Sequence, residues 1–494
     1  MEQYLLGIDV GTTGTKTLLF RADGALVAHA YRPYETQTPQ VGWNEQDPLD
    51  WWNAVVQTVR EVCADPTIAR KVAGISLSLQ GGTMLAVDED YQPVRPAMVW
   101  SDTRCEEQRL AYLREVGDAD SMYRKTGWKL GNGLNLLQIR WMKDNEPELF
   151  RQTAMFLSVP DYISYRMTGV PVVDLSDVGI NQLGNIQDGE YDRQLLDFAG
   201  ITEEQLPKIC RSGEVIGHLT EEAAAELGLT TDVLLCAGAH DQYAVALGAG
   251  ACNAGDILIG SGTCWVITCI ADDADFESGL SQSVSAVPGK WGSLWSLSSG
   301  GVCLEWLRRN VAQNNDGTQM DYATINYEVA TRKAAEDGLF FYPFSGRSRL
   351  DAGFQKGSFI GLDLAHDRFH LMRAAMEGVA FQIVWMMEAF RIKPSANGLI
   401  LAGGASKSPV WAQMVADIAN LPVRIPTIAD LACVGAVILA GVGCGIYESA
   451  QAGYKALAVG ERVIHPNPDR VRLYADLSKE YRKIANNLGK VYDI

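Results

Sequence analysis

The sequence predicts an α/β fold built as two similar lobes that face one another, and three observations carry this prediction. The chain has 494 residues, beyond the length at which one hydrophobic core keeps growing, so two domains of about 200 to 250 residues are expected. A strand, a small hydroxyl-rich turn and a second strand occur at the start, and the same pattern returns just past the midpoint. Third, the apolar run Val233 to Ala239 delivers His240 and Asp241 to its carboxyl end, ahead of the small-residue helix Ala244 to Gly250. Catalytic groups sit at such strand ends in α/β folds. The division is placed between residues 245 and 246, giving domains 1–245 and 246–494.

The first turn lies in Gly7-Ile8-Asp9-Val10-Gly11-Thr12-Thr13-Gly14-Thr15-Lys16. Tyr4 to Val10 is apolar and β-prone, Lys16 to Phe20 is again strand-like, and the glycines and threonines between them permit a tight reversal. Gly11 brings backbone N–H groups close to an anion, and the hydroxyls of Thr12, Thr13 and Thr15 add donors. Asp9, at the strand's end, is placed to hold Mg²⁺ through water, because that ion prefers carboxylate oxygens and keeps much of its hydration. An ordinary hairpin with a capping aspartate fits the same residues. The spacing is neither that of a Walker A loop nor of a dinucleotide fingerprint.

The second copy runs from Asp256-Ile257-Leu258-Ile259 through Gly260-Ser261-Gly262-Thr263 into Cys264-Trp265-Val266-Ile267. Two such hairpins in halves of similar length imply a duplicated domain whose copies grip a polyphosphate from both sides.

Composition narrows the partners. A net charge of −18 argues against a nucleic acid or an anionic membrane, which call for a basic face. The ten cysteines are scattered, with no C-x-x-C and no Cys/His metal spacing, as expected of reduced thiols in a cytoplasmic protein. The N-terminus enters a strand directly, without a signal-peptide pattern. The apolar stretch Val434 to Val442 is too short to cross a bilayer and reads as a buried helix.

Along the chain, Asp23-Gly24 marks a turn into a third strand, so the chain opens as an antiparallel meander. Asp47 as N-cap and Pro48 at the first helical position start a helix carrying Trp51, Trp52, Val55, Val56, Val59 and Val62. Val72 to Leu79 reads as a buried strand ending in Gln80-Gly81-Gly82-Thr83, either a substrate contact or a plain turn. Ser101-Asp102-Thr103-Arg104 follows another apolar run, and its Asp and Arg either bind hydroxyls or pair at the surface. Asp241 suits a general base or a helix N-cap; His240 beside it receives no assignment. In the second half, Ser298-Ser299-Gly300-Gly301 precedes a helix through Leu304 and Leu307. Asp367 caps a long amphipathic helix burying Phe369, Met372, Met376, Val379, Ile383 and Met387. Leu401-Ala402-Gly403-Gly404-Ala405 is a strand-to-turn transition that suits close approach of a flat, uncharged ligand or a packing turn.

Together these residues resemble the FGGY carbohydrate kinases, over essentially the whole chain. The most specific piece is Gly357-x-Phe359-x-Gly361-Leu362 with His370-Leu371-x-x-Ala374-Ala375-Met376-Glu377, which fits that family's C-terminal signature. The stretches around Trp43 to Trp52 and Trp100 to Arg104 look most like the xylulose kinase branch. The resemblance implies two ribonuclease H-like domains of the actin-hexokinase type with a catalytic cleft between them, ATP and Mg²⁺, and phosphoryl transfer to a sugar or polyol hydroxyl, a ketopentose such as D-xylulose. Asp241 is then the catalytic base. Trp43, Glu45, Gln80, Gly81, Asp102, Arg104 and Asp241 meet the sugar. Gly11, Thr12, Thr13, Lys16, Gly260, Ser261, Gly262, Thr263, Gly300, Gly301, Gly403, Gly404 and Ser408 meet ATP, and Asp9 the metal. The family's Met-His pair before a glycine is here Leu79-Gln80 before Gly81, so an amide stands for an imidazole; another ketose, a polyol or a sugar acid also fits. An actin-like ATP-driven sensor without a sugar substrate is the alternative of a different class. A homodimer is compatible with the sequence.

Overall fold

The structure is a computed structural model, and it describes residues 2–314, 316–335, 338–344 and 356–492. In the first half the sheet strands are β1 (Tyr4–Gly11), β2 (Gly14–Arg21), β3 (Leu26–Pro33), β4 (Val72–Leu79), β5 (Val215–His218) and β6 (Leu234–His240), lying in the order β5-β6-β4-β1-β2-β3. In the second half they are β7 (Ile257–Ser261), β8 (Trp265–Ala271), β9 (Ser281–Val284), β10 (Trp291–Leu297), β11 (Leu399–Gly403), β12 (Val423–Pro426) and β13 (Glu461–Ile464), in the order β9-β10-β8-β7-β11-β12-β13.

The duplication expected from the two hairpins is visible in this connectivity. The run β3-β2-β1-β4-β6 has two antiparallel pairings followed by two parallel ones. The run β10-β8-β7-β11-β12 repeats them. Because β1 is parallel to β4 and β4 to β6, the first hairpin, Gln80 and Asp241 all come to one edge of the first sheet. By the same reasoning the second hairpin and Gly403 come to one edge of the second.

Strand β1 is apolar on both faces because both are covered. Its Leu6, Ile8 and Val10 pack with Trp51, Val55 and Val59 of helix α1 (Pro48–Val62), which Asp47 caps by accepting from the Leu49 N–H at 2.9 Å. Leu5 on the other face packs with Val434, Val437 and Ile438. In the second sheet Ile257 and Ile259 join the core that contains Met376 and Val379 from the long helix and Trp411 from the next one, while Leu258 faces Ala246, Ala249 and Leu431.

Two helices therefore form the layer between the sheets: α2 (Asp241–Gly248) and α3 (Leu431–Gly443). The second comes from the C-terminal half yet lies on the first sheet. Small residues make this possible: a Cβ on Gly435 would stand 2.0 Å from the Ala244 carbonyl, and one on Gly7 would stand 2.0 Å from that of Cys433. Alternation along the strands puts Asp9 on the same face of β1 as Leu5 and Gly7, and Lys16 on the same face of β2 as Leu18 and Phe20. Both polar side chains thus project toward the first turns of the central helices. The apolar stretch read as a buried helix is α3, with Val434, Val437 and Ile438 fully buried. Among the described residues, no helix is long and apolar enough to cross a membrane.

Candidate active site

Asp9 and Lys16 are paired across β1 and β2. Asp9 accepts from the Ser78 hydroxyl at 2.9 Å, and Lys16 Nζ lies 2.8 Å from Asp430 Oδ1. Burial raises the Asp9 pKa to about 6; the Ser78 bond opposes the shift, the Asp241 charge adds to it and Lys16 opposes it. Asp430 immediately precedes α3 with a left-handed backbone (φ 56°). The loop leaving the last parallel strand of the second sheet thus ends on a residue of the first hairpin. Asp241 is the first residue of α2, and His240 rather than Asp241 occupies the cap position. The Asp241 side chain is 34% exposed.

The turn of the first hairpin is fastened from behind. Tyr34 donates to the Gly11 carbonyl at 2.5 Å, Gln46 Nε2 to that of Thr12 at 2.6 Å and Tyr31 to that of Thr13 at 3.1 Å. Trp100, half-exposed, donates its indole N–H to the Thr12 hydroxyl at 3.1 Å.

Three separate stretches of the second half converge. The Ser261 hydroxyl donates to the Ala402 carbonyl at 2.5 Å and accepts from the Ala405 N–H at 3.0 Å, while its carbonyl accepts from the Gly404 N–H at 2.7 Å. Gly301 N–H donates to the Gly262 carbonyl and Gly300 N–H to that of Thr263, each at 3.1 Å. The glycines divide into two groups. Gly300 and Gly301 are required by packing, since a Cβ would lie 2.0 Å from Trp265 Cδ1 and 2.4 Å from the Gly262 carbonyl. Gly11, Gly260, Gly262 and Gly404 are not, since a Cβ there meets nothing within 3.2 Å, its nearest neighbours being 3.5, 3.7, 3.5 and 3.3 Å away.

Trp43, Glu45, Asp102 and Arg104 also come together, but chiefly with one another. Arg104 forks onto Asp102, with Nη2 at 2.6 Å, and reaches Glu45 at 2.8 Å; Arg95 binds Glu45 from the other side at 2.5 Å. The Arg104 guanidinium lies 3.8 Å from the Trp43 ring centroid, a cation–π stack. Both carboxylates are thus occupied within the protein, whereas Arg104 Nη1 and the Gln80 amide oxygen are buried without a partner among the described residues. Gln80 donates its amide N–H to Gln46 at 3.1 Å. A Cβ on Gly81 would collide with the His240 ring at 2.5 Å. The Ser408 hydroxyl caps the helix Pro409–Ala419 by accepting from Trp411 N–H at 3.2 Å, and donates to Asn326 at 2.6 Å.

Ser78, Gln46, Trp100, Asp177 and Asp430 are site neighbours that sequence reasoning did not single out. Trp100 stood in the quoted stretch before Asp102, whereas Asp430 carried no signal, because only folding brings it to Lys16.

The chain as a whole is similar to known proteins. The N-terminal domain of the FGGY family of carbohydrate kinases matches residues 4–248 and the C-terminal domain of that family matches residues 256–444. A xylulose kinase from Bacillus subtilis (strain 168) is 30% identical over 489 residues, covering 98% of this chain and 96% of the relative. A gluconokinase from the same organism is 28% identical, covering 92% and 90%. The crystal structure of xylulose kinase from Rhodospirillum rubrum superposes with a TM-score of 0.91 at 28% identity, covering 100% of both chains. The chain therefore belongs to the FGGY family of carbohydrate kinases, phosphotransferases whose acceptor is an alcohol group.

Proposed function

We propose that the protein transfers the γ-phosphoryl group of ATP to a hydroxyl of a ketopentose, D-xylulose being the first choice. The observation that carries the reading is Asp241: its carboxylate accepts no hydrogen bond among the described residues, remains partly exposed, and stands near Asp9 at the edge of the first sheet to which the first hairpin leads. A carboxylate kept free in that position is suited to take the proton of an attacking hydroxyl.

The residues fit a metal-bound nucleotide. Asp9 keeps an oxygen, Oδ2, that accepts no hydrogen bond among the described residues and lies beside the open side of Gly11, so Asp9 would hold Mg²⁺, which when bound neutralises phosphate charge. Gly11, Thr12, Thr13 and Lys16 on one side and Gly260 to Thr263 on the other would cradle the phosphates, with backbone N–H groups as donors. The Gly403-Gly404 turn, with Gly403 in a left-handed backbone (φ 92°) packed on Ser261, would meet the nucleoside, and Gly300 and Gly301 hold the second hairpin in place. Arg104, held by Glu45 and Asp102 with a buried and unpartnered Nη1, would meet the acceptor together with the Gln80 amide oxygen, Gly81 and the Trp43 face. Residues 1–245 form the sugar- and phosphate-binding domain and 246–494 the ATP-binding domain, and closure of the two excludes water. The partners are the sugar and ATP, and the compartment is the cytoplasm.

The ketopentose choice is supported by the xylulose kinases among the similar proteins. The test is an ATP-dependent phosphorylation screen over ketoses, polyols and sugar acids. A ketopentose is expected to give the highest kcat/KM. Preference for a sugar acid overturns the ketopentose choice, and ATP hydrolysis that no sugar stimulates overturns the transfer reaction in favour of an ATP-driven sensor.

A further inference from the structure

We propose that His240 is a positioning residue for Asp241, seated in the room that Gly81 leaves and backed by the buried acids Asp177 and Asp174. The proposal rests on the reading of Asp241 as the proton acceptor.

Among the described residues, the nearest charged or polar neighbour recorded for the Asp241 carboxylate is His240, with Nδ1 3.5 Å from Oδ1. An aspartate on the first turn of a helix, partly exposed and without hydrogen bonds, would sample several rotamers. The imidazole limits that freedom by its bulk rather than by a hydrogen bond, since Nδ1 has no proton to give Asp241, and it can do so because it is itself held on every side. It is 5% exposed. Its backbone N–H donates to the Ser176 hydroxyl at 2.9 Å, and its Nδ1 accepts from the Gln242 N–H at 3.4 Å. The rings of Tyr243 and Trp128 flank it, with centroids 5.7 and 6.2 Å away.

Gly81 completes the seat. A Cβ there would stand 2.5 Å from His240 Cδ2, 2.9 Å from Nε2 and 2.7 Å from Asp177 Oδ1. Any side chain at 81 would occupy the imidazole's place, and Nε2 and Asp177 face each other across it. With Nδ1 accepting from Gln242, the neutral ring carries its proton on Nε2, toward Asp177. Neither Asp177 oxygen accepts a hydrogen bond among the described residues, and the residue is 1% exposed. It lies against Asp174, which accepts from the Ser176 N–H at 2.9 Å and from its hydroxyl. Burial and the neighbouring Asp174 charge raise the Asp177 pKa well above the ordinary carboxyl value, because two full charges side by side away from water are disfavoured. The line Asp177, His240, Asp241 thus runs from a buried acid pair to the proton acceptor through one immobilised ring.

The experiment measures sugar phosphorylation by the full-length protein for wild type, His240→Ala, His240→Asn and Gly81→Ala, with melting temperature and KM for ATP as controls. For His240→Ala, kcat is expected to fall on the order of 10- to 100-fold, the range for a misplaced catalytic group, with KM for ATP within about twofold. His240→Asn, which keeps an acceptor near the Nδ1 position, is expected to recover most of the loss. Gly81→Ala is expected to lower kcat in the same sense by pushing the ring. Wild-type kcat in a folded His240→Ala, or equal losses in the Ala and Asn variants, overturns the proposal while the kinase reading stands. If His240→Ala does not fold, unchanged kcat in a folded Gly81→Ala overturns it. If the wild-type protein phosphorylates no sugar, the reading of Asp241 fails and the proposal with it.

Discussion

Lys16 Nζ lies 2.8 Å from Asp430 Oδ1, so a residue of the first glycine-rich hairpin is ion-paired to the residue that opens the central helix from the other half of the chain. The pair is 41% and 29% exposed, and screening limits such a contact to about 1 kcal/mol or less. Its consequence is for ligand binding. Asp430→Asn keeps a side chain that tolerates the left-handed backbone, and is expected to leave the melting temperature nearly unchanged while lowering KM for ATP, because Lys16 no longer has a competing anion. Lys16→Met is expected to raise that KM. Steady-state kinetics at fixed ionic strength check both, and opposite signs would remove Lys16 from the nucleotide site.

Gly404 and Gly300 make a matched comparison. Gly404 has ordinary right-handed helical angles, φ −62° and ψ −44°, and a Cβ there meets only the Ser261 carbonyl oxygen, at 3.3 Å, a contact that a shift of a few tenths of an ångström relieves. Gly404→Leu is therefore expected to fold and to raise KM for ATP about tenfold, equivalent to 1.4 kcal/mol of binding, with little change in KM for the sugar. Gly300→Ala drives a methyl group into Trp265 and is expected to destabilise the protein by about 1–3 kcal/mol. Thermal melting beside kinetics separates the two outcomes.

Glu45 is read here as a support for Arg104. Its side chain is 11% exposed, between Arg95 at 7% and Arg104 at 1%. Glu45→Ala leaves part of two buried positive charges uncompensated, which costs about 3 kcal/mol, and is expected to lower the melting temperature as well as activity. A change in KM for the sugar at unchanged melting temperature would instead make Glu45 a direct contact.

Asp161 gives the protein a pH-dependent element away from the cleft. Burial raises its pKa to about 7, against the hydrogen bonds it accepts from the Ser158 N–H and hydroxyl. The folded-state pKa lies above the unfolded one, so the stability this group contributes is complete at acid pH and is lost as pH rises through about 7. Asp161→Asn keeps an acceptor for Ser158 and removes the titration. Relative to wild type, the variant is expected to gain stability as pH rises from 4 to 7, by about 1.4 kcal/mol per unit at the steepest. Melting curves at several pH values test this, and parallel curves would contradict it.

Much of this architecture was legible because it depends on local chemistry. The hairpin turns, the Asp47 and Asp367 caps and the apolar stretch of α3 follow from residue type and spacing, and the duplication from the repeated hairpin. What was not legible depends on distant partners. The ion pair of Asp430 with Lys16, the enclosure of Glu45 by two arginines, one of which also holds Asp102, and the use of Ser408 as a helix cap need the chain folded before they exist. His240 received no role from the sequence because its meaning depends on the absence of a side chain at Gly81, in the turn that follows a different strand. The resemblance to a family supplied roles that spacing alone left open.

Asp241→Asn is the most direct test of the central claim, because the amide keeps the size of the side chain and removes its capacity to accept a proton. With the acceptor sugar found by the screen, kcat is expected to fall about 10²- to 10⁴-fold, while KM for ATP and the melting temperature stay close to wild type. Phosphorylation near the wild-type rate would contradict the account.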